Sequence, residues 1–270
     1  MWSARKSRRS NKVKHRYSIK KSRSFFRPRL EVLEDRCLPA TINTWAAPIG
    51  PPSNWSNSLN WSLGHVPTGS EIATFNSTSQ TFCFIDAPVA GTNAVSGINI
   101  SSQYGGQIQD AADLVIGTDG FVQTGGVFFV PGSTTITDAG NWSEISPFGF
   151  NVAPGSTVDF NSATSQTILD DNTQFFNLTH SGAGTLNLTA GPNPFLPIAG
   201  NFLNSRGTVD AQGASLKIGG NWTDTSTVVN LNIVTFTPFF PAPQTITSNS
   251  NFNNVMYGGP PPSFLQLLTR

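Results

Sequence analysis

From residue 74 onward, apolar and polar residues frequently alternate with a period of two. Thr185-Leu186-Asn187-Leu188-Thr189 sets its leucines on one side and its polar residues on the other. Ser215-Leu216-Lys217-Ile218 and Val229-Asn230-Leu231-Asn232-Ile233 repeat the arrangement. Successive side chains of an extended chain point to opposite faces, so each run predicts a half-buried strand. Gly and Asn punctuate the runs, as at Gly105-Gly106, Gly125-Gly126, Gly182-Ala183-Gly184, Gly219-Gly220 and Gly258-Gly259. These residues accept the left-handed turn conformations that short strands need. The prediction is an all-β chain.

A longer pattern overlies this alternation. Asn60-Trp61-Ser62, Asn141-Trp142-Ser143 and Asn221-Trp222-Thr223 stand 81 and 80 residues apart. A Gln-Thr step follows each, at Gln80-Thr81, Gln166-Thr167 and Gln244-Thr245, and then an Asn-containing apolar segment around Asn99, Asn177 and Asn254. Within the eighty lies a period of 20: Gly200-Asn201-Phe202 precedes Gly220-Asn221-Trp222, and Gly120-Phe121 precedes Gly140-Asn141-Trp142. Recurring units of this size imply stacked supersecondary elements, and about twenty residues is one coil of a parallel β-helix. About eleven rungs are expected from residues 41–270, making a rod about 50 Å long at the strand spacing of a sheet.

The strings Thr185-Leu186-Asn187-Leu188, Gly207-Thr208-Val209-Asp210-Ala211 and Leu216-Lys217-Ile218-Gly219-Gly220-Asn221-Trp222-Thr223 resemble the right-handed β-helix bodies of bacterial adhesin and autotransporter-like proteins. The opening, with Trp45, Trp55, Trp61 and Ala73-Thr74-Phe75, is similar to the entry segment of such solenoids. The expected organisation is a basic leader over 1–40, an N-terminal cap over 41–73, solenoid repeats over 74–259 and a tail over 260–270. Tandem β-sandwich modules of about eighty residues are the alternative fold.

Charge divides the chain in two. Residues 1–40 hold 13 of the 16 Lys and Arg against 3 acids, a balance of +10; residues 41–270 hold 3 cations against 12 acids, a balance of −9. The basic head has little to bury and is expected to be disordered. Its end, Leu33-Glu34-Asp35-Arg36 followed by Leu38-Pro39-Ala40, resembles an N-terminal sorting motif of bacterial surface proteins. That resemblance implies export and an extracytoplasmic body. The head lacks the apolar run of a simple secretory signal, and no stretch approaches the ~20 apolar residues of a membrane helix. Read as a retained tail, the same cations would suit a phosphate backbone. Cys37 and Cys83 are one in each part and are expected to be free thiols, Cys83 as a small buried hydrophobe.

Candidate chemistry is sparse. Asp170-Asp171 form an adjacent pair, and Asp110 and Asp113 are read as solvated turn acids. His15, His65 and His180 are widely spaced, with no His-x-x-x-His or Cys-x-x-Cys, so no metal site is signalled. Arg206 and Lys217, the two interior cations of the body, are few for an enzyme that stabilises a developing anion. Trp61, Trp142 and Trp222 are read as core packing on equivalent rungs rather than as a sugar-stacking face. Eight Asn-x-Ser/Thr triplets, among them Asn141, Asn177, Asn187 and Asn221, are read as products of composition that can form amide ladders. No catalytic, cofactor-binding or metal-binding residue is assigned, and no cofactor is expected.

These readings point to a non-enzymatic, extracytoplasmic structural or adhesive surface protein, with surface or extracellular polysaccharide or other surface proteins as partners. A glycan-binding or polysaccharide-processing β-helix is the first alternative. A nucleic-acid-associated protein acting through the basic head is the second.

Overall fold

The computed structural model describes residues 40–50, 53–91, 94–146, 149–170, 173–190, 195–238, 243–258 and 265–268. The basic head, with the Leu-Glu-Asp-Arg segment, His15 and Cys37, lies outside the described residues.

The described body is a parallel β-solenoid. Its strands stack into three ladders, and a complete coil contributes one strand to each. The first ladder starts at Thr41–Thr44 and Glu71–Phe75 and continues through Val95–Ile100, the second half of Leu114–Gln123, Trp142–Glu144, Gln166–Asp170, Thr185–Ala190, Thr208–Asp210 and Thr227–Val229. The second begins with the first half of Leu114–Gln123 and runs through Thr135–Asp138, Thr157–Phe160, Asn177–His180, Phe202–Asn204, Trp222–Asp224, Gln244–Ser248 and Leu265–Leu268. The third carries Cys83–Ile85, Gln107–Asp110, Val127–Val130 and Phe150–Val152 early on. Later it carries Phe195–Ile198, Ser215–Ile218, Val234–Phe236 and Val255–Tyr257, with Phe175 bridging in parallel to Ile198.

The sequence period of twenty is thus one coil, as the pairs Phe121 with Trp142 and Phe202 with Trp222 show. The coil count is lower than expected. About eight turns form, not eleven, because most coils exceed twenty residues: Ile98 pairs with Phe121, and Trp142 with Ile168. The ladders accordingly extend about 40 Å rather than 50 Å. Parallel pairing already begins at Thr41, within the stretch read as a cap, and Leu265–Leu268 of the tail adds a strand to the second ladder.

Inside, one residue per strand stacks on its counterpart one coil away. In the first ladder the column is Ala73, Ile98, Phe121, Trp142, Ile168 and Leu188; in the second it is Leu114, Ile136, Val158, Leu178, Phe202, Trp222 and Ile246. All are buried. Cys83 is buried too, in the third ladder's column with Ile108 and Phe128, where burial pushes its thiol pKa well up. Corners between ladders are tight. Gly120 turns Leu114–Gln123 from the second ladder to the first at φ +72°, and a Cβ there would collide with the Asn141 backbone of the next coil.

At the N-terminal end, Trp45 forms an antiparallel bridge with Trp61. Trp55 and Trp61 pack edge to face at 4.7 Å, and Trp45 and Trp61 at 5.1 Å. Two of the polar ring atoms are satisfied: Trp45 Nε1 donates to the Thr81 carbonyl at 3.1 Å and Trp61 Nε1 to the Trp55 carbonyl at 2.8 Å. The aromatic cluster with Phe75 closes over the first coils.

Candidate functional site

The polar groups of the body divide between an interior column and an outer face. The interior column lies in the second ladder, two residues beyond the stacked apolar positions. It contains Asp138, Phe160, His180, Asn204, Asp224 and Ser248, one per coil. Asn204 Nδ2 donates to Asp224 Oδ1 at 3.0 Å and to the Thr227 carbonyl at 2.9 Å. Its Oδ1 is therefore the acceptor that faces His180 Nδ1 at 3.0 Å, which assigns the proton to that histidine nitrogen. The Asp224 carboxylate also accepts from the Ser226 N–H at 3.1 Å and from the hydroxyls of Ser248 and Ser250. Burial lowers the His180 pKa against the opposing pull of Asn204 and Asp159, so the ring is neutral at physiological pH.

Other acids are also turned inward. Asp138 is fully buried; one carboxyl oxygen accepts from the Gly140 N–H at 2.9 Å, and burial raises its pKa to about 7. Asp110 is fully buried, and burial drives its pKa well up, with the Ala112 N–H opposing and Asp113 reinforcing. This corrects the reading of Asp110 as a solvated turn acid. Its strand, Gln107–Asp110, sets it inside beside Ile85, whereas exposed Asp113 accepts from the Thr135 N–H at 2.9 Å. The two do not converge on one surface. Asp170 ends a first-ladder strand, and Asp171 lies outside the described residues.

The outer face of the second ladder is built from hydroxyls and amides. Its central column runs Thr137, Asp159, Thr179, Leu203, Thr223 and Thr247; beside it run Thr135, Thr157, Asn177, Asn201, Asn221 and Thr245. Neighbours along a column are about 4.8 Å apart. The asparagines form a ladder from coil to coil. Asn177 Oδ1 accepts from the Asn201 N–H at 2.9 Å, Asn201 Oδ1 from the Asn221 N–H at 2.8 Å, and Asn221 Oδ1 from the Thr245 N–H at 2.9 Å. The asparagines stack as expected of a ladder, but each bond joins a side-chain oxygen to a backbone N–H and not one amide to the next.

The tryptophans are core, with Trp142 and Trp222 fully buried and each stacked on a phenylalanine one coil below, at 4.1 Å on Phe121 and 4.2 Å on Phe202. They are not on equivalent rungs. Trp142 belongs to the first ladder, Trp222 to the second and Trp61 to the cap. Eighty residues is not a whole number of these coils, so the sequence repeat conserves a local contact and not a position around the coil. Among the described residues no group of three or more His, Cys, Asp or Glu is gathered as for a metal. His65 lies apart from His180 and pairs with Glu71, Nε2 to Oε1 at 2.8 Å.

The inward polar column escaped the sequence reading, although a signal for it exists. In Trp142-Ser143-Glu144, Phe202-Leu203-Asn204 and Trp222-Thr223-Asp224, a period of two places the acid or amide on the aromatic's side. Compared with protein-family models, with curated proteins and with solved structures, the chain matches none.

Proposed function

We propose that this chain is a non-enzymatic rod that works outside the cytoplasm, at the cell surface or released, as a structural or adhesive element. The observation that carries this reading is the division of polar groups. The ionisable side chains His180, Asp224, Asp138 and Asp110 are inside, held by or enclosed in protein, while an array mostly of Thr and Asn faces outward, with Asp159, held by the Ser181 hydroxyl, as its one carboxylate. Chemistry needs an ionisable group within reach of a substrate. Adhesion needs many weak contacts held at fixed spacing, and a stacked coil supplies them on one rigid face. Extracellular polysaccharide, with a hydroxyl or two at each sugar, is the partner such a face suits best; other surface proteins come second.

The test is fractionation of the native cells with N-terminal sequencing of the mature chain. Recovery outside the cytoplasm supports the reading. Recovery in the cytoplasm with the basic head intact contradicts it and favours nucleic acid as the partner of that head.

A further inference from the structure

The third ladder carries a feature that the hydroxyl face does not explain. A groove of about 280 Å³ crosses successive coils where the third ladder turns toward the second. Along one side stand Gln174, Pro197 and Lys217; along the floor lie Ala199, Gly219 and Thr237. The floor is low because its central residues are small. A Cβ on Gly219 would collide with the Ala199 carbonyl, so the position admits no side chain and the depression is built into the packing. Gln174 to Thr237 spans three coil steps, about 14 Å.

Lys217 is the unusual element. Residues 41–270 hold only Arg206, Lys217 and Arg270 as cations against 12 acids. Among the described residues no carboxylate lies within ion-pair distance of Lys217, whose side chain is exposed at the groove. A cation without a partner, flanked by an amide and a hydroxyl and backed by proline rings, is complementary to an anionic group on a ligand with some apolar surface.

We propose that this groove binds an acidic oligosaccharide lying along the coil axis, with a uronate-type carboxylate on Lys217. The amide of Gln174 and the hydroxyl of Thr237 stand at either end to meet sugar hydroxyls, and Pro197 and Pro238 offer apolar walls to the C–H faces of the rings. An acidic peptide fits less well. Such a peptide docks onto a sheet through free backbone groups. Here the floor's N–H groups are already used: Ala199 donates to Phe175 at 2.9 Å, Gly219 to Ile198 at 2.7 Å and Thr237 to Ile218 at 2.9 Å. The groove stands on a different ladder from the hydroxyl face, so its test is independent of where the protein resides, and the Lys217 variants separate its binding from whatever that face contacts.

The experiment is calorimetric titration of the full chain with a linear glucuronate trisaccharide, a neutral trisaccharide of the same length and a Glu tripeptide, near physiological salt. It is repeated for Lys217→Gln and Lys217→Arg, both at an exposed position and checked for an unchanged melting midpoint. The expected result is uronate binding weakened about ten- to a hundredfold by Lys217→Gln, the range of one charge-assisted hydrogen bond, and largely retained by Lys217→Arg. The basic head is the same in every variant. Undiminished binding by Lys217→Gln would therefore assign the uronate to the head and overturn the proposal. An equally Lys217-dependent response to the neutral sugar, or a stronger one to the peptide, would overturn it as well.

Discussion

The Gln166 side-chain amide donates to the Gly140 carbonyl at 2.6 Å, reaching back one coil to a residue 26 positions earlier. The same amide donates to the Asp138 carbonyl at 2.9 Å, and the Thr167 N–H donates to Asn141 Oδ1 at 2.9 Å. Gln244, Gly220, Asn221 and Thr245 repeat the clasp at 2.6 and 2.9 Å. Gly-Asn-Trp on one coil and Gln-Thr on the next are two halves of one device. It satisfies the Gly140 and Gly220 carbonyls at the corner, and this is why the two motifs recur together in the second and third copies; in the first, Gln80 donates instead to the Asn76 and Gln103 carbonyls.

Replacing Gln166 with Leu removes that clasp and leaves the Gly140 carbonyl and the Ser162 N–H without their partners, while the Asp138 carbonyl keeps the Asn161 N–H at 3.0 Å. The expected cost is about 2–4 kcal/mol, read as a lower urea midpoint with an unchanged slope. Gln166→Glu, which keeps the shape but replaces the donor with a carboxylate, should be no better than Leu.

The stacked aromatics make a second prediction. Trp142→Ala and Trp222→Ala each empty a fully enclosed site and should cost about 3–5 kcal/mol. Because neither ring reaches the surface, any carbohydrate binding measured below the melting transition should survive. An unchanged melting midpoint with lost binding would place the rings on a ligand face.

Asp138 makes stability depend on pH. Its pKa is 3.8 in the ordinary state and about 7 in the fold, so the folded chain holds the proton more tightly. The contribution is fully present below pH 3.8 and is lost as pH rises through about 7. The total change is about 4 kcal/mol. Asp110, shifted up by burial, acts in the same direction. Asp138→Asn should flatten the fall in melting temperature between pH 4 and pH 8, and above pH 8 should be more stable than the parent. A parallel pH profile for the two proteins would contradict this.

Asn204 joins His180 to Asp224 across two coil steps. Asn204→Leu should be costly, about 3 kcal/mol, because it leaves Asp224 short of a donor in a dry interior. Changing Asn204 and Asp224 together to Leu and Asn should recover part of that loss, a coupling that a double-mutant cycle would measure.

Much of the fold could be read from the alternation. Thr185-Leu186-Asn187-Leu188 becomes a strand with its leucines inside, and the spacing of Phe202 to Trp222 is one coil. The eighty-residue spacing misled in one respect, because Trp142 and Trp222 each stack on a phenylalanine one coil below but do not share a ladder. Coil length varies with the loops at the corners, and a sequence period cannot report an angle around the coil. The interior acids were missed for a different reason. A buried carboxylate is rare unless it is paired, so Asp110 reads as a surface residue, and the partners that hold Asp224 inside, Asn204 and Ser248, lie 20 and 24 residues away until stacking brings them together.

The central claim is that the outer face of the second ladder is the working surface of the rod. It is tested most directly by binding of the full chain to an array of neutral and acidic polysaccharides, beside a Thr179→Glu/Thr223→Glu variant. Both positions point outward, but Thr179 lies beside Asp159 on the neighbouring coil, so binding is read well below the melting midpoint of either protein. The account predicts salt-tolerant binding to at least one neutral polysaccharide, weakened tenfold or more in the variant. Equal binding by the two proteins, or no binding across the array, would contradict it.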